Sequence, residues 1–158
     1  MPDDVAALAE AFEAAATDTA PLPRIRAAAR IGAEGSGVRL CTAMLFDRDA
    51  MAVQRIYSSR PDEYPVGGRK PKRDTAWGRH VLLRGQRFEG EGEAAIRAHF
   101  DDADVILGLG LRSIVNLPIL RAGRCVGTLN MLWPQAALDA GHVMTARHLA
   151  LLAAPDWF

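Results

Sequence analysis

Hydrophobic positions recur at helical spacing near both ends of the chain and at strand spacing between them. Val5, Leu8, Phe12 and Ala15 fall on one side of a helical period and predict an amphipathic helix over 5–16. Asp3 and Asp4 stand where its caps belong. Residues 17–23 hold two prolines and read as a linker, and 24–33 as a second short helix that stops near Gly35 and Gly37. The run VRLCTAMLFD over 38–47 is short, apolar and partly β-branched, which predicts a strand buried on both faces. A turn over 47–50 leads to its hairpin partner over 52–59. Residues 60–73 form a long polar loop with three prolines and the pair Gly67-Gly68, a composition suited to a lid or mobile edge. TAWGRHVLL over 75–83 predicts a helix with Gly85 as its stop. A short strand follows over 86–89, broken at 90–92, then a helix over 93–100 and a connection over 101–110. A closing helix over 139–153 carries Val143, Ala146, Leu149, Ala150 and Ala153 on its apolar side.

The stretch from Leu109 to Trp133, LGLRSIVNLPILRAGRCVGTLNMLW, holds two apolar runs around an Arg-Ala-Gly-Arg turn. With Ala122-Gly123 as the tip, Arg121 faces Arg124. Continued along the ladder, that register places Ile114, Asn116, Pro118, Leu129, Met131 and Trp133 on one face. Val115, Leu117, Ile119, Val126, Thr128, Asn130 and Leu132 take the other. Ala-Gly is a poor tight-turn pair, which leaves a slip or bulge open. Both faces are mostly apolar, so both need a cover: the terminal helices on one, the mid-chain helices around Trp77 and Ile96 on the other. A cover built of short elements and long loops can leave a pocket. Hairpin-linked strands among helices make this an α+β chain with a mainly antiparallel sheet.

Of the 158 residues 49% are hydrophobic, enough for one core, and one domain over 1–158 is the expectation. Its parts are a helix and linker over 1–23, a sheet and pocket core over 24–133 and a helix over 139–153. The formal net charge is +0, which supplies no electrostatic reason for a nucleic-acid or membrane partner. Lysine occurs only at Lys70 and Lys72, inside GGRKPKR, which reads as a solvated charge run with an anion contact as the functional alternative. Cys41 and Cys125 make no metal spacing or disulfide framework. The acidic start lacks a signal-peptide pattern and no run has membrane-span length, so a cytoplasmic protein is expected.

The hairpin and the segment TAWGRHVLLRGQRFEGEG together resemble the GAF domain family. The residues that carry the likeness are Leu109-Gly110, Ser113, Pro118, Gly127 and Leu129 in the hairpin, and Gly78, Val81, Gly85 and Phe88 upstream. The resemblance covers roughly 24–133. It implies a central antiparallel sheet with terminal helices on one face, often mediating a homodimer, and a small-molecule pocket under short helices on the other. It also implies a metabolite-sensing role, exercised through a partner protein or the dimer interface because no output domain is visible. Which ligand or cofactor is unknown at this level.

Candidate ligand-binding residues are Trp77, as a stacking wall, with His80 one turn on, Phe88, His99, Phe100, Asp101 and Asn116. Phe100-Asp101 resembles the aromatic-acidic pair that contacts the base in cyclic-nucleotide GAF domains. Asn130, on the face assigned to the terminal helices, reads as structural. No catalytic or metal-ligating residue is assigned. An enzymatic alternative is a redox enzyme akin to free methionine-R-sulfoxide reductases, but Cys41 and Cys125 do not match that branch's several-cysteine arrangement. A third reading is an interaction module whose pocket is filled by Trp77, Phe88 and Met131.

Overall fold

Apolar runs separated by turn residues become strands here, and periodic runs become helices. The structure, a computed structural model, describes residues 2–158, with side chains from residue 5 onward. The caps assigned to Asp3 and Asp4 therefore lie outside the described residues. Helices α1 (Pro2–Thr17) and α2 (Pro23–Ser36) lead into strands β1 (Leu40–Asp47), β2 (Ala52–Ser58) and β3 (Arg69–Pro71). A cover helix over Gly78–Leu83 follows, then β4 (Phe88–Glu91), α3 (Gly92–His99) and α4 (Ala103–Gly108). The hairpin β5 (Ser113–Arg121) and β6 (Arg124–Trp133) and the helix α5 (Ala140–Ala153) complete the order, with a final turn over Ala154–Trp157. The six strands form one sheet in the order β3-β2-β1-β6-β5-β4, and every pairing is antiparallel.

Two apolar layers sandwich this sheet. On one face Val115, Leu117, Ile119, Leu129, Met131 and Trp133 pack with Ile25, Ala28 and Ala29 of α2 and Ala146, Leu149 and Ala150 of α5. Helix α1 lies on α2 and adds Phe12 and Ala15 to that layer. Asp139 closes the N-terminus of α5 by accepting from the His142 N–H, while His142 Nδ1 accepts from the Asp139 N–H. On the other face Leu40, Ile114 and Leu132 meet Tyr64, Ile96 and Ile106, and a second patch gathers Phe46, Val53, Trp77, Val81 and Leu82.

The hairpin corrects the sequence reading. Its tip is as expected, with Arg121 opposite Arg124, but Leu120 pairs Cys125 and Ile119 pairs Gly127. Val126 is thus an extra residue, a β-bulge that shifts the register by one. Everything beyond it on β6 changes face. Leu129, Met131 and Trp133 turn to the terminal helices, while Thr128, Asn130 and Leu132 join Ile114, Asn116 and Pro118 on the other side. Asn130 therefore does not lie on the face first assigned to it; it sits directly opposite Asn116.

Other boundaries differ for local reasons. The loop over 60–73 contains β3, which pairs with β2. The connection over 101–110 contains α4, begun at Asp102. The strand expected at 86–89 runs Phe88–Glu91, with Gly90 paired to Ile114, so the break comes at Gly92 (φ 84°). The cover helix is wound wider than an α-helix over Gly78–Leu83, and the Arg84 N–H bonds five residues back to the Arg79 carbonyl at 3.0 Å. Gly78 permits this packing: a Cβ there would lie 2.5 Å from the Lys72 carbonyl oxygen.

Candidate functional site

Five paired positions cross the middle of the sheet in register: Phe88, Asn116, Asn130, Thr42 and Ser58. The three central ones are buried and polar in a layer that is otherwise apolar. They are joined end to end. Trp77 Nε1 donates to Asn116 Oδ1 at 3.0 Å. Asn116 Nδ2 donates to Asn130 Oδ1 at 2.7 Å, and Asn130 Nδ2 to Thr42 Oγ1 at 3.1 Å. An indole N–H has no acceptor capacity, so the relay has one direction. Asn116 must turn its oxygen to Trp77, and each amide then offers nitrogen to the next oxygen. One N–H of each amide and the Thr42 hydroxyl proton remain as spare donors.

This relay floors a cavity of about 50 Å³ lined also by Leu40, Ile114 and Leu132 from the sheet and by Tyr64, Phe100 and Ile106 from the cover. Cavities that enclose drug-sized ligands run to about 300–1,000 Å³, so this one holds a few waters or a group of a few heavy atoms. The wall is charged. Arg55, Lys70 and Lys72 line it against one carboxylate, Asp102. Asp102 accepts from the Tyr64 hydroxyl at 2.8 Å. Burial, and next the Asp102 charge, push the Tyr64 phenol far above its usual range. Lys70 Nζ is 2.9 Å from Asp101 Oδ1, and that bond holds the Asp101 carboxyl below its usual range. Lys72 sits 5.1 Å from the Trp77 ring centroid, and no carboxylate among the described residues pairs with it. Burial, then the nearby Lys70 charge, lower its pKa. Arg55 stacks 4.9 Å over the Tyr64 ring and donates to the Pro65 carbonyl at 3.1 Å. Its Nε is shut from solvent without a partner, and burial lowers its pKa.

Of the residues singled out from sequence, Trp77, Phe100 and Asn116 line the cavity. Phe88 is packed beside it, edge-on to Phe100 with centroids 5.8 Å apart. His99 is exposed and lies edge-on to Phe88 at 4.8 Å, outside the lining. Asp101 turns outward to Lys70, and its neighbour Asp102 takes the place at the wall. His80 is elsewhere: its Nε2 is 2.8 Å from the Arg87 carbonyl oxygen, beside an open groove of about 680 Å³ between β5 and α5. Lys70 and Lys72, read as a solvated run, are cavity residues. Thr42, Asn130, Arg55, Tyr64 and Asp102 were missed. Thr42 was the findable one, a polar residue at an alternate position of an apolar strand.

The two thiols are buried in different layers. Cys41 packs with the terminal-helix layer, and burial pushes its pKa up to about 12. Cys125 packs against Phe46 and Val81 on the cavity side and is also raised by burial. Neither is a ready thiolate, and they are not placed to pair.

No family model matches the chain, and no curated protein matches it either. Solved structures do. The GAF domain of an Acinetobacter phosphoenolpyruvate-protein phosphotransferase superposes with TM-score 0.75 at 13% identity, covering 98% of this chain and 92% of that one. A phycoerythrobilin-bound GAF domain from a cyanobacterial phytochrome gives TM-score 0.69 at 14% identity, covering 99% and 95%. Free methionine-R-sulfoxide reductase from Neisseria meningitidis, in complex with its substrate, gives 0.68 at 18% identity, covering 95% and 85%. The sheet order and the layering of helices on the two faces are common to this set.

Proposed function

We propose, from a chain that has the GAF-domain fold, a sensor module that binds a small metabolite between the sheet and the 60–72 strap. The relay Trp77–Asn116–Asn130–Thr42 carries this reading. Buried polar groups are costly unless each is satisfied, and this set keeps spare donors facing a cavity instead of an apolar filling. The strap is held by few ties, chiefly Tyr64 to Asp102 and β3 to β2, so it can part to admit a ligand larger than the resting space. A bilin, as held by one structural neighbour, is disfavoured by the cavity volume and by the burial of both cysteines. Thiol redox chemistry is disfavoured by the same burial.

The module acts through a homodimer of the terminal helices or through a partner protein, in the cytoplasm. Exposed Val5, Met144 and Leu151 on α1 and α5 support the dimer. No described helix is long and apolar enough to cross a membrane. A thermal-shift screen with amino acids, organic acids, purines and nucleotides tests the reading. A ligand at a hundred times its Kd stabilises by about 2.7 kcal/mol. Each kcal/mol moves Tm by roughly 2–4 °C at this size, so a true ligand raises Tm by about 5–10 °C. Asn116→Ala and Asn130→Ala abolish that rise. A rise that survives both variants places the ligand elsewhere.

A further inference from the structure

We infer that the cavity takes a small anion, a carboxylate, with Lys72 and Arg55 as its counter-charges and the amides of Asn116 and Asn130 as its donors. The inference rests on the cavity being the ligand site and adds the chemical class. Three observations carry it independently. First, the wall bears three cations against one carboxylate, and counting Asp101 outside still leaves an excess of one positive charge. Lys70 is answered by Asp101 and Asp102 is answered by the Tyr64 hydroxyl, so the unanswered charges are Lys72 and Arg55. Second, Arg55 Nε is a buried donor without an acceptor. A buried guanidinium nitrogen in that state is satisfied by an oxygen brought from outside. Third, the indole fixes the relay so that its spare hydrogen-bonding capacity includes donors on both amides and on Thr42. A floor rich in donors under a positive wall suits an acceptor-only group. The volume of about 50 Å³ suits a carboxylate with a short stem better than a phosphate ester. Lys72 and Trp77 bound the same space, so the stem of the acid lies against the ring.

The test uses the Trp77 indole N–H signal in proton–nitrogen NMR spectra of the full chain. Trp77 is the tryptophan that lines the cavity, and Trp133 and Trp157 serve as internal references. Acetate, propionate and succinate are titrated at constant ionic strength beside acetamide, propionamide and methylammonium. Carboxylates are expected to move the Trp77 signal saturably while the amides and the amine leave it in place. Lys72→Met and Arg55→Gln are expected to weaken the carboxylate at least tenfold, with the Trp133 and Trp157 signals unchanged as proof of folding. Amides or amine moving the Trp77 signal as strongly as the acids would overturn the anionic class and leave the sensor site standing. No probe moving it would overturn both.

Discussion

An indole N–H buried at 3.0 Å from an amide oxygen sets the polarity of a whole row of side chains. Asn116→Ala leaves Trp77 Nε1 and Asn130 Oδ1 without partners in a buried layer, and each such orphan costs about 1–3 kcal/mol. Urea unfolding is expected to give a loss in that range for Asn116→Ala, a similar loss for Asn130→Ala, and less than their sum for the pair. Two glycines give a matched contrast. A Cβ on Gly127 would fall 2.2 Å from the Met44 carbonyl oxygen and 2.3 Å from Trp157 Nε1, which bond each other at 2.9 Å. Gly127→Ala is therefore expected to cost roughly 1–3 kcal/mol or more. Gly35, helical and with open space around its Cβ position, is expected to gain roughly 0.5–1 kcal/mol as Gly35→Ala. Denaturant midpoints moving in opposite directions check both.

Elements show where local pattern suffices and where it fails. The β5–β6 tip puts Ala122 at φ 50° and Gly123 at φ 76°, the left-handed pair a two-residue turn demands. Alanine holds that conformation at a cost of about 1–2 kcal/mol. Ala122→Asn is expected to recover roughly 0.5–1 kcal/mol, read as a higher denaturant midpoint with an unchanged slope. The tip itself was legible, since Arg-Ala-Gly-Arg between apolar runs has few alternatives. The bulge at Val126 was not. Val126, Thr128 and Asn130 alternate as well with the bulge as without it, and the choice is made by which face buries Trp133 against α2. Trp133 Nε1 donates to the Ser36 carbonyl at 2.9 Å, a contact between residues 97 apart in sequence. Helix α4 was hidden similarly, because ADVILG is too short for a period to show. Of the site, Trp77, Phe100 and Asn116 were readable from residue type and position. Tyr64, Arg55 and Lys72 were not, because the strap that carries them has no pattern until β3 pairs.

Across the whole molecule, sheet layering decides how stability responds to pH. Cys41 ionises near the usual thiol value once unfolded but only at about 12 in the folded layer. Between those values the unfolded chain has lost a proton that the folded chain keeps, so stability falls as pH rises. The contribution is fully present below pH 9 and lost progressively up to about pH 12. Tyr57 and Tyr64, both raised by burial, add loss of the same sign. Lys72 opposes it, its pKa being lowered. Comparing wild type with Cys41→Ala isolates the thiol: the wild-type midpoint is expected to drop more steeply between pH 9 and 11, and the gap to be absent at pH 7. Equal slopes would mean the thiol reaches water in the native state.

The register shift at Val126 also bears on inheritance. Losing that one codon would exchange the inward and outward sets of β6 at a stroke, sending Met131 and Trp133 into the cavity and Asn130 under the terminal helices. No gradual series of substitutions leads there. The Gly67-Gly68 side of the strap, with open space or only the tip of Arg55 near its Cβ positions, can gain or lose residues at little cost. Lineages of this chain should therefore vary in length at the strap and hold their length at the hairpin, so that ligand preference drifts through the strap while the floor is inherited whole.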